Sequence, residues 1–124
     1  MVNNFFNKNS DYFYFVFRVL VGLVFLLHGV MKVQMMMGGS LTVMSLIGLA
    51  MVIEIVGGAF IILGLFTRYT AIISAIEMIF AYFMVHASGG LSPITNNGEP
   101  AVLFFASFLV LMAFGARKWG IDKK

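Results

Sequence analysis

Three ionisable residues lie inside long apolar runs of this chain: Arg18, Glu54 and Glu77. A charged side chain in hydrocarbon is costly, and it faces a partner or a wet cavity rather than lipid. At the helical rise, Arg18 lies roughly 9 Å from the start of its run and Glu77 roughly 12 Å from the start of its own. Glu54 lies roughly 15 Å from the end of its run that reaches the same side. The three depths agree, which predicts one intramembrane polar cluster of Arg18, Glu54 and Glu77. Two acids against one base leave an excess negative charge. That repulsion and desolvation both raise a carboxyl pKa, so one glutamate becomes a proton-exchanging group. The cluster could instead bind a polar headgroup, fix helix packing as a plain ion pair, or contact another subunit.

A second polar group gathers toward the opposite side. His28 and Lys32 are four residues apart, hence on one helix face. His86 closes the third run, and Asn96, Asn97 and Glu99 open the fourth. Two histidines and a carboxylate are metal-ligand types, yet no HxxH or HxxxH pair occurs and the ligands would have to converge from separate helices, so no metal is assigned. A haem between His28 and His86 is disfavoured because both sit at helix ends. A quinone headgroup suits the residue types better, since its two oxygens need a donor and an acceptor. The ligand-binding candidates are therefore His28, Lys32, His86, Asn97 and Glu99. Within that set, His28 or His86 would exchange the proton and Glu99 would orient the ring as acceptor.

The elements that must position these groups follow from composition. The chain has 124 residues, 61% hydrophobic and only 10% charged, with a mean hydropathy of +1.01. Soluble domains carry about 25% charged residues, and so little charge could not cover the surface of a chain this short. High hydrophobicity also excludes intrinsic disorder. The absence of cysteine removes disulfides, iron–sulfur clusters and thiol nucleophiles. The net charge of +3 comes from scattered or terminal basic residues, with no basic helix face, so no nucleic-acid partner is expected.

Four apolar runs, at about 12–33, 43–66, 69–87 and 99–118, approach or reach the roughly 20 residues that cross a bilayer. They are apolar nearly all round, unlike the striped helices of a soluble bundle, and they lack the alternation of a membrane β-barrel. The expected fold is all-α, a transmembrane antiparallel four-helix bundle forming a single membrane domain over 1–124. The amino-terminal stretch is short and polar, with no signal-peptide pattern, and Asn9, Ser10 or Asp11 is placed to cap the first helix. Gly38-Gly39-Ser40 breaks the chain after the first span. Thr67 and Arg68 make a tight turn between the second and third spans, and Pro100 suits a first helical turn. Gly57 and Gly58, Gly22 and Gly29, and the Ser74–Glu77–Ala81 stripe mark places for close helix approach. An even number of spans puts both termini on one side, with Lys8, Arg68, Arg117, Lys118, Lys123 and Lys124. The positive-inside rule makes that side cytoplasmic, in a multi-pass protein of the cell membrane.

With these features set out, the chain resembles the DoxX family of small four-helix membrane proteins. The residues that carry the resemblance run in order through nearly the whole sequence. They are Arg18 with Gly22–Phe25, the HGVMK run of His28–Lys32, Glu54 with Gly57 and Gly58, and GLFTR at Gly64–Arg68. Glu77, His86, the NNGEPA run of Asn96–Ala101 and the GARKWGID ending complete them. The family's NGGE pattern reads Asn96-Asn97-Gly98-Glu99 here. The resemblance implies a small membrane subunit of a quinone-linked oxidoreductase or respiratory assembly. The alternatives are a structural membrane scaffold without catalysis and a lipid- or small-solute-binding membrane protein. Membrane lipids, and other membrane subunits or further copies of the chain, are the expected partners. No covalently bound cofactor is expected, and quinone is the candidate ligand. Whether the chain is itself an enzyme is left open; without a redox centre of its own it would need a redox partner.

Overall fold

A computed structural model of the chain describes residues 1–39 and 45–123. Ser40 of the expected breaker, Val43 and Met44 at the start of the expected second span, and Lys124 of the basic tail lie outside the described residues. Among the described residues, five α-helices follow one another: α1 (Val2–Lys8), α2 (Ser10–Met37), α3 (Leu46–Leu63), α4 (Thr67–Ala81) and α5 (Glu99–Phe114). Helix α4 continues through a π-helical turn, Tyr82–His86, and a 3-10 turn, Ala87–Gly89. The all-α class expected from the sequence is what forms. Three segments, Ser10–Met37, Leu46–Leu63 and Thr67–Gly89, are long and apolar enough to cross a membrane, and α5 is a shorter apolar helix of 16 residues. Helix α2 packs on α3, α3 on α4, and α4 on α5.

Burial runs opposite to that of a soluble protein. Leu23, Leu27, Leu49, Val52, Ile76 and Leu103 face outward, while Arg18, Glu54, Thr67, Ser74 and Glu77 are enclosed. Such an apolar exterior needs lipid around it. Inside, Phe25, Phe108, Ile61 and Leu111 are fully buried, and the Phe25 and Phe108 rings meet edge to face at 4.9 Å between centroids.

Glycine sets the register of α2 against α3. A Cβ on Gly58 would stand 2.7 Å from the Gly22 carbonyl oxygen, and one on Gly29 would stand 3.0 Å from the Glu54 Cβ. The two backbones therefore touch at Gly22–Gly58 and at Gly29–Ile55, beside Glu54, the close approach that small residues permit.

The ends of the helices differ from the sequence expectation: α2 runs on to Met37, past the expected 33, and the turn expected at Thr67 and Arg68 falls at Gly64–Phe66, with Thr67 opening α4. The polar amino-terminal stretch forms the separate helix α1. Asn9 lies between α1 and α2 and donates its side-chain amide to the Phe5 carbonyl at 2.8 Å, with no side-chain cap on α2. The fourth helix, expected to reach 118, stops at Phe114. Gly115 takes a left-handed φ of 68°, and Arg117 and Trp119 follow at 57° and 60°, so the chain turns back instead of continuing. The Ile121 and Asp122 amides then bond to the Leu63 and Gly64 carbonyls at 3.0 and 2.8 Å. Gly64 ends α3 at φ 67°, with Leu65 N–H donating to Phe60 and Gly64 N–H to Ile61, a Schellman pattern. The space against Gly64 is filled by Gly120, whose Cα stands 2.6 Å from where a Gly64 Cβ would be.

Candidate functional site

The expected cluster of three charges divides into two sites at different depths. Arg18 is fully buried and lies level with the end of α3. Its Nη1 donates to the carbonyls of Ala116 at 2.6 Å and Lys118 at 3.2 Å. Its Nη2 donates to those of Trp119 at 2.8 Å and Ile62 at 3.4 Å. Beyond the end of α5, the turn from Ala116 to Trp119 aims three carbonyls at one guanidinium, whose planar fork reaches several at once. Tyr14, one helical turn earlier, donates its hydroxyl to Gly115. Depth counted from the edges of the apolar runs misplaced Arg18, because α2 extends past the end of α3. Matched through Gly22–Gly58, Arg18 stands opposite Ile62, two helical turns from Glu54.

Glu54 takes its cation from the other predicted group. Lys32 Nζ lies 2.9 and 2.8 Å from the two Glu54 carboxylate oxygens, with the Glu54 side chain 5% exposed and that of Lys32 21%. Glu77 lies within electrostatic reach of both Glu54 and Lys32. Neither Glu77 carboxyl oxygen has a hydrogen-bond partner, and the same holds for Ser74 Oγ one turn earlier on α4. Buried polar atoms are rarely left so. Two carboxyl groups side by side are both acceptors, and they can bond to each other only through a proton held between them. Gly57 keeps this seam open: a Cβ there would meet Ser74 Oγ and Thr70 Cγ2, both at 3.3 Å.

His28 goes elsewhere. One turn before Lys32, it lines a lateral groove of about 410 Å³ between α2 and α5. Leu20, Val24, Pro100, Leu103 and Phe104 supply its apolar walls, and the His28 ring meets the Phe104 ring edge-on at 5.3 Å. The one hydroxyl in the lining, Ser107, is already bonded to the Leu103 carbonyl at 2.9 Å. His28 is therefore the titratable group of the groove.

His86 belongs to the loop before α5. Its Nδ1 lies 3.3 Å from the Asn96 carbonyl; a carbonyl only accepts, so Nδ1 is the donor. Asn96 organises that loop, donating to the Gly90 carbonyl at 2.8 Å and the Tyr82 hydroxyl at 3.3 Å, and accepting from Gly98 N–H at 2.8 Å. Asn97 takes φ 61°, and both it and Glu99 are exposed at the start of α5. The second predicted group thus shares one end of the bundle but separates into Lys32 with Glu54, His28 in the groove, and His86 in the loop. Among the described residues, no three His, Asp or Glu side chains converge as a metal site would require.

Several residues outside the predicted sets hold the terminal end. Asp122 accepts from the Phe66 and Thr67 amides at 2.6 and 2.8 Å, which caps the start of α4 from the far end of the chain. Partial burial pushes the Asp122 carboxyl up, but hydrogen bonds from Thr67 and Phe66 and the nearby Arg18 charge outweigh it, leaving its pKa below the usual aspartate value. Asp11 pairs with Arg117 at 3.0 Å and Lys118 at 3.3 Å. The signal for these roles lay in the GLFTR and GARKWGID runs, whose glycines and charges meet across the turn.

Comparison with known proteins identifies relatives over nearly the whole chain. An uncharacterized protein of Haemophilus influenzae (strain Rd) is 38% identical over 125 residues, covering 94% of this chain and 93% of its own. "Putative oxidoreductase CatD" of Bacillus subtilis (strain 168) is 29% identical over 122 residues, covering 94% and 89%. No solved structure matches significantly. The DoxX family model matches residues 13–87, a stretch holding Arg18, the Gly22–Gly58 contact, Lys32, Glu54, Glu77 and His86. This membrane protein belongs to the DoxX family.

Proposed function

We propose that the chain is a multi-pass membrane subunit of a quinone-linked oxidoreductase, with the ring of the carrier bound in the groove between α2 and α5. The observation that carries this reading is His28, a lone titratable side chain in an apolar groove that opens sideways to lipid. A lipid-soluble carrier would enter such an opening directly from the bilayer. Apolar walls and the Phe104 ring suit a flat ring, and the His28 imidazole suits one ring oxygen as donor or acceptor. Glu99 adjoins Pro100, which lines the groove, and would orient a hydroxyl of the reduced ring. The quinone supplies two-electron chemistry when bound, and the residues here supply binding and protons. Lys32, one helical turn from His28, balances one carboxylate of the Glu54–Glu77 pair, and the second acid holds an exchangeable proton. The name of the Bacillus subtilis relative supports an association with oxidoreduction. A partner subunit delivers the electrons.

The basic residues Arg68, Arg117, Lys118 and Lys123 share the end that carries both termini, and the positive-inside rule makes that end cytoplasmic. A scaffold role is favoured at the Arg18 cage, where the guanidinium is engaged with backbone.

The test is quinone extracted from the chain purified in mild detergent with its native partners. Wild type retains quinone, His28→Ala loses it, and Glu54→Gln keeps it while slowing turnover. A quinone-free wild type isolated as a homo-oligomer, or a His28→Ala variant with full quinone content, would overturn the reading.

A further inference from the structure

At the terminal end, a cavity of about 520 Å³ opens between the α3–α4 turn, the end of α5 and the returning carboxyl-terminal segment. Arg68, Arg117 and Lys123 line it, together with Phe66, Tyr69 and Phe114. The single acid in the lining, Asp122, already accepts two backbone amides with its two oxygens. Arg117 shares its charge with Asp11, and Arg68 gives one bond to the Ala113 carbonyl at 3.2 Å. Lys123 makes no ion pair with any described residue. The site therefore presents more cationic charge than the protein itself neutralises.

The cations sit at the boundary where the apolar helix faces end. Phe66, Tyr69 and Phe114 are 57%, 73% and 55% exposed, the amphipathic rim typical of a membrane–water interface. One turn deeper on the same helix faces, Ile73 and Val110 are also exposed. A ligand matching this layout has a negative headgroup over the cations and an apolar tail along α4 and α5. We propose that this cavity binds the phosphate of an anionic phospholipid. The site is separate from the His28 groove and stands or falls independently of the quinone reading. Free phosphate shares the headgroup chemistry but makes no use of the exposed rim.

Native mass spectrometry of the detergent-solubilised full chain decides this, with phosphatidylglycerol and phosphatidylcholine of matched acyl chains as probes. The charged lipid is retained in preference to the zwitterionic one. Removing a cation near a membrane surface weakens such binding about fivefold, so Lys123→Gln lowers phosphatidylglycerol occupancy by that factor and Arg68→Gln with Lys123→Gln by about 25-fold. Lys123→Gln breaks no hydrogen bond or ion pair among the described residues, which keeps the test valid if the double variant folds poorly. Equal retention of the two lipids, or an unchanged Lys123→Gln variant, overturns the proposal. In a third arm, inorganic phosphate is added to the lipid-bound chain. Retention of the lipid supports the assignment, and its displacement would make the cavity a site for soluble anions.

Discussion

Two buried ionic groups sit at different depths of the same bundle, and they are built in opposite ways. Around Arg18, both terminal guanidinium nitrogens are engaged, on four backbone carbonyls drawn from α3 and the returning carboxyl-terminal segment. Around Glu77, a carboxyl is enclosed with no hydrogen-bond partner, beside a Glu54 whose charge Lys32 already balances. Arg18 leaves only its Nε without a partner among the described residues, and a guanidinium whose two terminal nitrogens are both spent on backbone is committed to holding that backbone. A group left short of partners is free to take a proton or a ligand. The contrast sets a backbone-holding cation at one depth against an under-bonded carboxyl at the other.

The largest effect should come from Arg18→Met, which strips a donor fork from under four carbonyls and is expected to destabilise the fold by about 3–5 kcal/mol. Thermal unfolding in detergent measures it; a loss near zero would remove the basis for calling that end architectural. Next is Gly58→Leu, which drives a side chain into the Gly22 carbonyl and Leu26. Overpacking of this kind costs about 1–3 kcal/mol, and the same melting experiment should show α2 and α3 forced apart.

Asp122→Ala removes the two amide bonds at the start of α4 and should cost about 1 kcal/mol, the usual worth of a cap. Because the folded pKa of Asp122 is depressed, its contribution is fully present above the ordinary aspartate pKa. It is lost as pH falls from there through the folded value. Acid unfolding of wild type and variant should therefore converge at low pH and diverge toward neutrality.

The smallest stability effect belongs to Glu77→Gln, within about 0.5 kcal/mol of wild type, since the glutamine amide can donate to the Glu54 carboxylate in place of a shared proton. Infrared spectroscopy should nevertheless lose a carboxylic-acid band in this variant. A strongly destabilised Glu77→Gln would make both ends structural and erase the contrast.

How much of this was legible in the sequence follows the same division. The helical class, the three long apolar segments and the turn around Thr67 follow from hydrophobic run length and glycine placement, which are local. The partners of the buried charges depend on register, which is not local. Hydropathy marks where a run leaves hydrocarbon, whereas α2 begins at Ser10 and overhangs α3, so depths counted from run edges set Arg18 beside Glu54. Gly22, Gly29, Gly57 and Gly58 held the missing register, but a glycine names its own position and not the residue opposite. The three-carbonyl turn from Ala116 to Trp119 depends on left-handed backbone at Arg117 and Trp119, a conformation that neither residue type advertises. Asn96 was visible as a loop residue, yet its role as the hub for Gly90, Tyr82 and Gly98 emerges only once the π-helical turn has brought Tyr82 to it.

Three of the carbonyls that Arg18 holds lie 98 to 101 residues downstream of it. During synthesis, the guanidinium therefore enters the membrane long before its acceptors exist. A chain halted before Ala116 would offer it the Ile62 carbonyl alone, and its first helix pair would carry an unanswered cation in lipid. Membrane compatibility of the first helix pair thus depends on synthesis having proceeded through Trp119, 101 residues beyond the charge it accommodates.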